Sequence, residues 1–142
     1  LAERQIGKDR AAAIKTYEQV LTKTPDNFVV LNNLAYLAFE DKNLTRAEEL
    51  AKKAVSLQRE NADAVDTLAQ IYVAKGDKAA ALKLYEEVSA RPIANDDVYL
   101  NHVSVLLELD KKALASRKLA SREFKSEAAK QRAESLKQQY GL

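Results

Sequence analysis

The sequence predicts an all-α fold in which short antiparallel helix pairs repeat along the chain. Ala, Leu, Glu, Lys, Gln and Arg dominate its 142 residues, and only three Gly and two Pro interrupt them. Intrinsic propensity therefore favours helix almost throughout. Apolar residues recur in stripes at helical spacing, and the stripes return after 34 residues, where Leu34 and Ala35 fall on Leu68 and Ala69. A fixed period of this length is typical of helical repeat proteins.

Residues 1–25 are the first element, which we interpret as a partial copy. The segment AAAIKTYEQVLTKTPDN has the pattern of a second helix, with Ala13 four residues before Tyr17. Only LAERQI stands where a first helix belongs, so we expect the chain to begin inside a repeat of a longer protein. Pro25 and Asn27 then provide a helix stop and the cap of the next helix.

Residues 26–59 and 60–94 are the two copies that match best. In each copy an apolar stripe is followed by a polar turn and a second stripe. The stripes of the earlier copy are Leu31, Leu34, Ala35 and Ala38, then Ala47, Leu50, Ala51 and Ala54. Two short amphipathic helices follow from this pattern. One helix pair cannot bury both of its stripes, so neighbouring copies must stack into a solenoid.

Residues 95–125 form a third copy. LNHVSVLLELDKKALASRKLAS aligns with LNNLAYLAFEDKNLTRAEELAK at a shift of 69, one residue more than two periods, and we place the extra residue in the turn at 91–94. Asn95 and the two aspartates after it suit a helix start. His102, the only histidine, is expected to be a partly exposed residue of this copy's first helix.

Residues 126–140 are predicted to be a helix that caps the last copy. Ser126 suits the N-cap, and Ala129, Ala133, Leu136 and Tyr140 recur at helical spacing. Residues 111–142 carry a net charge of +6, whereas residues 1–110 carry −4. The alternative is a basic helix for a membrane surface or nucleic acid. The narrow, Ala-rich stripe offers no Trp or Phe to insert into lipid, so capping is favoured.

These spacings resemble the tetratricopeptide repeat family over roughly residues 8–123. Seven positions of the family pattern are filled in one copy, by Val65, Leu68, Ala69, Tyr72, Gly76, Ala81 and Tyr85. The resemblance implies one domain over residues 1–142, a right-handed superhelical solenoid of antiparallel helix pairs. It also implies a non-catalytic protein–protein interaction scaffold that binds a peptide or partner segment in its concave groove.

The phrases LNNLAYLA and AVDTLAQIY also resemble the closing repeats of large bacterial tetratricopeptide proteins of the cell envelope, including lipoproteins of the PEP-CTERM type linked to exopolysaccharide export. The alternative function is accordingly a structural module of a cell-envelope assembly protein that associates with itself as a homo-oligomer. The absence of Cys is compatible with any compartment, so periplasm, cell envelope and cytoplasm all stay open.

In the family, fixed positions of the first helices line the concave surface. Carried over to this sequence, they give the candidate ligand-binding residues Asn32, Tyr36, Phe39, Glu40, Asp63, Asp66, Gln70, Asn101, Val105 and Glu108. The amides suit the backbone of an extended peptide, and the carboxylates favour a neutral or basic ligand. The alternative for Phe39 and Val105 is packing between repeats.

No catalytic or cofactor site is predicted. A single histidine without a recognisable nucleophile, no Cys, no Gly-rich phosphate loop and no cluster of metal ligands argue against an enzyme and against a metal or other cofactor. Nucleic acid is not an expected partner, because the first helices have no Lys or Arg in their middles. Direct membrane insertion is not expected either, since no apolar stretch approaches the roughly 20 residues that span a bilayer.

Overall fold

The computed structural model describes the backbone of residues 2–142 and the side chains of residues 9–142. Leu1 and the side chains of 2–8, hence most of the LAERQI segment assigned to the partial copy, lie outside the described residues. Within these limits the chain forms helices and no strands. The helices are α1 (Ala2–Lys23), α2 (Phe28–Glu40), α3 (Leu44–Leu57), α4 (Ala62–Ala74), α5 (Lys78–Val88), α6 (Asp96–Glu108), α7 (Lys112–Ala120) and α8 (Glu127–Tyr140). The predicted all-α solenoid of helix pairs is confirmed.

The helices are arranged in two rows. Helices α2, α4 and α6 pack against one another along the stack and form the inner row. Helices α3, α5 and α7 pack on the inner row rather than on each other, and they form the outer row. Alanines without any exposed surface, such as Ala35, Ala69 and Ala81, lie at the contacts. Small side chains let the helix axes approach closely, which keeps the stack continuous.

The N-caps of the inner row show the true period of the repeat. Asn27, Asn61 and Asn95 each cap one inner helix, and each side chain accepts a hydrogen bond from a backbone N–H of the first turn. Asparagine satisfies these otherwise unpaired donors well. The caps are 34 residues apart in both intervals, so the extra residue expected at 91–94 is wrong. Helix α5 is three residues shorter than α3, and the following loop is longer by the same number.

The corrected register places His102 on Leu34 and Leu68, two core positions. His102 is buried in the structure, so the expectation of a partly exposed histidine is also wrong. Its ring stacks on Tyr85 with centroids 5.2 Å apart. The third copy therefore carries a titratable ring where the other two carry leucine.

Each inner helix ends in the same turn. Lys42, Gly76 and Asp110, again 34 residues apart, have positive φ of 63°, 87° and 60°. The following N–H donates back to the helix, for example from Asp77 to the Tyr72 carbonyl at 2.8 Å. This geometry is the glycine-type C-cap, which leaves an L-residue in the left-handed region strained. The turn accordingly depends on backbone conformation and not on residue identity alone.

Replacing Gly76 with alanine is expected to lower the free energy of unfolding by about 1 kcal/mol. A Cβ at Gly76 would meet no atom within 4 Å, so the loss reflects backbone strain and not a clash. Urea unfolding of the variant measures it. The reverse change, Lys42→Gly, is the matched control and is expected to be neutral or stabilising. A loss for both variants would contradict the strain argument.

Helix α8 closes the end of the stack. Ser126 caps it by accepting a hydrogen bond from the Ala129 N–H, as expected, and Ala129 and Ala133 are buried against the last core. The helix packs on α6 and α7. Its remaining surface is polar, which keeps the final apolar face of the solenoid out of water.

Candidate functional site

The inner row carries a groove with a cavity volume of about 470 Å³. We call it the inner groove. Its lining residues are Ala13, Tyr17, Asn32, Asn33, Tyr36, Leu37, Asp63, Asp66, Thr67, Asn95, Asp97 and Val98. They come from α1, α2, α4, the N-cap Asn95 and the first turn of α6. Amide, hydroxyl and carboxylate groups thus alternate with apolar side chains along one concave surface, a composition suited to a ligand with a polar backbone.

Four of the ten residues predicted to bind a ligand line the inner groove. They are Asn32, Tyr36, Asp63 and Asp66. Tyr36 is 51% exposed, so its ring is available for contact. The Oδ1 atom of Asn32 is buried without a hydrogen-bond partner. A buried acceptor without a partner costs about 1–3 kcal/mol, which a donor in the groove would offset if the amide turned toward it.

The other predicted residues lie elsewhere. Phe39 packs against the core of the earlier repeats, and Glu40 pairs with Arg10 at 3.3 Å. Glu108 at the end of α6 lies 3.6 Å from Lys78. Val105 is buried in the core and cannot contact a ligand. Its assignment to the concave surface is a register error of one residue.

Gln70 and Asn101 belong to a hydrogen-bond network behind the groove. The Tyr85 hydroxyl donates to Asp66 Oδ1 at 2.5 Å, and Gln70 Nε2 donates to the same hydroxyl at 2.6 Å. Asn101 Nδ2 also donates to Asp66, at 3.0 Å, and Arg132 of α8 donates to Asn101 Oδ1 at 2.6 Å. The network ties the groove to the capping helix through three inner or outer helices. It therefore positions Asp66 rigidly.

Burial is the largest cause that raises the pKa of Asp66, and the nearby charge of Asp63 raises it further, against the hydrogen bonds from Tyr85 and Asn101. Burial also raises the pKa of the Tyr85 hydroxyl, and the Asp66 carboxylate adds to that effect. Tyr85 thus stays a protonated donor to Asp66. The groove holds a carboxylate whose hydrogen-bond donors are neutral, which is an environment that disfavours its charge.

Several lining residues were missed by sequence reasoning. Asp97 occupies the position of Asp63 once the period of 34 is used, so the Asn caps could have located it. Asn33 donates to the Tyr17 hydroxyl at 3.3 Å. Tyr17 comes from α1 across the end of the inner row, a contact that no local sequence pattern reveals.

The described part of the chain offers no evidence of chemistry in this groove. No group of three or more His, Cys, Asp or Glu among the described residues could hold a metal ion. Ser89 Oγ and His102 Nδ1 share a hydrogen bond of 3.3 Å, but this pair is away from the groove lining and His102 is buried. None of the helices described here has both the length and the apolar content needed to cross a bilayer.

Solved structures share this architecture. A tetratricopeptide repeat protein from Parabacteroides merdae has a TM-score of 0.77 at 18% identity, and the match covers 99% of this chain and 57% of that one. MamA gives a TM-score of 0.70 at 23% identity, over 83% of this chain and 69% of that one. YrrB, a TPR protein with an unusual peptide-binding site, gives 0.67 at 23% identity, over 74% of this chain and 54% of that one. Identities this low show the fold alone, and the match spans only about half of YrrB.

Sequence comparison points to the same family. No curated protein sequence matches the chain, but the family model described as Tetratricopeptide repeat matches residues 38–99. That segment runs from the end of α2 into α6 and includes the complete α4–α5 pair. The fold supports a role as a protein–protein interaction scaffold. The chain belongs to the tetratricopeptide repeat family.

Proposed function

We propose that the inner groove binds an extended peptide or a segment of a partner protein. The observation that carries this proposal is the groove itself, which places exposed Tyr36 beside the amides of Asn32 and Asn33. An aromatic ring gives apolar anchorage, and amides bond to peptide N–H and C=O groups without requiring one sequence. The likeness to YrrB, which has a peptide-binding site, supports the same use of this fold.

Selection from a display library of random twelve-residue peptides tests the proposal. Peptides enriched on the protein are expected to lose about tenfold in affinity when Tyr36 is replaced with alanine, because a central aromatic anchor is worth more than 1 kcal/mol. Leu57→Ala is the matched control, since Leu57 is 43% exposed at the end of α3 and does not line the inner groove. Fluorescence anisotropy measures both affinities. Failure to enrich any peptide, or equal losses in the two variants, would refute the proposal.

A further inference from the structure

The charges of the inner groove narrow the chemistry of its ligand. Asp63, Asp66 and Asp97 line it, and no Lys or Arg does so among the described residues. Between residues 9 and 142, none of these three carboxylates forms an ion pair with a basic side chain. Most other acidic pairs of the solenoid are neutralised across helices, such as Glu48 with Lys75. The groove is therefore a concave surface of uncompensated negative charge.

Two of the three carboxylates have a structural reason for their position. Asp63 and Asp97 lie in the first turns of α4 and α6, where the helix dipole stabilises negative charge. Asp66 has no such reason, because it lies one turn further along α4 and is only partly exposed. Its partners, Tyr85 and Asn101, are neutral donors. Retaining a desolvated carboxylate without a cation is costly unless a ligand supplies one.

The rest of the groove fits the same kind of ligand. A guanidinium or ammonium group brings several donors and no acceptor, and the groove offers carboxylates together with the unpartnered Oδ1 of Asn32. Tyr36 adds an exposed ring along the same surface. Arginine stacks on aromatic rings and binds carboxylates through two parallel hydrogen bonds.

We propose that the inner groove selects a cationic segment of a partner protein, in which an arginine or lysine side chain binds among Asp63, Asp66 and Asp97 while its neighbours contact Tyr36. This inference rests on the proposed function and specifies its ligand. A neutral or acidic segment would leave the three carboxylates uncompensated. Because the attraction is electrostatic, it is expected to raise the association rate and to weaken with added salt.

Two peptides and two double variants of the full chain test the inference. The first peptide is a capped twelve-residue chain with Arg at every third position among Ala, Ser and Leu. The second replaces each Arg with citrulline, its neutral isostere. Asp63→Asn combined with Asp97→Asn removes two groove charges. Glu86→Gln combined with Glu123→Gln is the matched control, because both glutamates are exposed and neither lines the groove.

The arginine peptide is expected to bind the wild-type protein about tenfold more tightly than the citrulline peptide at low salt. The groove variant should lose most of this preference, and the control variant should keep it. Equal affinity for the two peptides, or equal losses in the two variants, would overturn the inference. If the display library yields groove-dependent peptides without Lys or Arg, the proposed function survives and the cationic ligand does not.

Light scattering covers the remaining occupant of the groove. Residues 111–142 are basic, so a second copy of the chain could place its own C-terminal region in an acidic groove. The inference of a separate partner expects a monomer at all concentrations. Association that rises with concentration and disappears in the Asp63→Asn, Asp97→Asn variant would assign the groove to a second copy and overturn that inference.

Discussion

Replacing Arg122 with alanine is expected to lower the free energy of unfolding by about 3 kcal/mol, because it removes a largely buried cation that fastens two loops together. Arg122 lies in the connection between α7 and α8. Its guanidinium donates to Asp96 Oδ1 at 2.8 and 2.9 Å. It also donates to the carbonyls of Ile93, at 2.5 Å, and Ala94, at 2.9 Å.

The position of Arg122 explains why so much depends on it. The loop between α5 and α6 is longer than the corresponding loop between α3 and α4, because α5 ends early. Arg122 holds this loop to the start of the capping region and stacks on Tyr99, with the guanidinium carbon 4.5 Å from the ring centroid. The side chain is 20% exposed, and that of Asp96 is 16% exposed. Water therefore cannot fully replace the lost hydrogen bonds.

Arg91 provides a control from the same loop. It forms an ion pair of 2.6 Å with Glu60, but the two side chains are 69% and 66% exposed. Exposed pairs contribute little, so Arg91→Ala is expected to change the free energy of unfolding by about 0.5 kcal/mol or less. Arg122→Lys should fall between the two, because lysine keeps the charge but not the planar fork. Similar losses for Arg91→Ala and Arg122→Ala in urea unfolding would contradict this account.

Local signals in the sequence were sufficient to predict most of the fold. Asn27 and Ser126 cap their helices as expected, since a side chain that bonds to the next turn needs no distant partner. The stripes of small and large apolar residues also predicted the stacking of α2 to α5. These features depend on residues within one or two helical turns, or on one fixed period, and such information is present in a single sequence.

The third copy shows where sequence reasoning failed. Matching letters aligned Leu100 and Asn101 with Leu31 and Asn32, although burial and the Asn caps fix a register one residue earlier. A slip of one residue on a helix turns every side chain by about 100°. It moved Val105 onto the predicted surface and hid Asp97. The network of Asp66 was out of reach for another reason, because it joins helices distant in sequence.

The buried His102 makes the stability of the protein depend on pH. Burial is the main cause that lowers the pKa of His102 from its ordinary value of 6.5 to about 4, and the charge of Lys118 on α7 acts in the same direction. Tyr85 and Ser89 of the α5 region face the ring but bring no negative charge. The folded protein therefore binds this proton more weakly than the unfolded chain.

The sign of the effect follows from that difference. The contribution of neutral His102 is fully present above pH 6.5 and is lost as the pH falls toward 4, by about 1.4 kcal/mol per unit and about 3 kcal/mol in all. Asp66 opposes it, because its raised pKa makes the folded state bind a proton before the unfolded chain does. That stabilisation on acidification is confined to the range at and above the ordinary carboxyl value of 3.8.

His102→Leu separates the histidine from every other titrating group. Leucine is the residue at the equivalent positions Leu34 and Leu68, and it removes an Nε2 atom that is buried without a hydrogen-bond partner. We expect the variant to be at least as stable as the wild type at pH 7.5, and its advantage to grow by about 3 kcal/mol between pH 6.5 and 4. Urea unfolding at several pH values gives the difference curve, in which most carboxylate contributions cancel. A difference that stays constant with pH would mean that His102 accepts its proton in the folded core without penalty, which burial and the neighbouring Lys118 argue against.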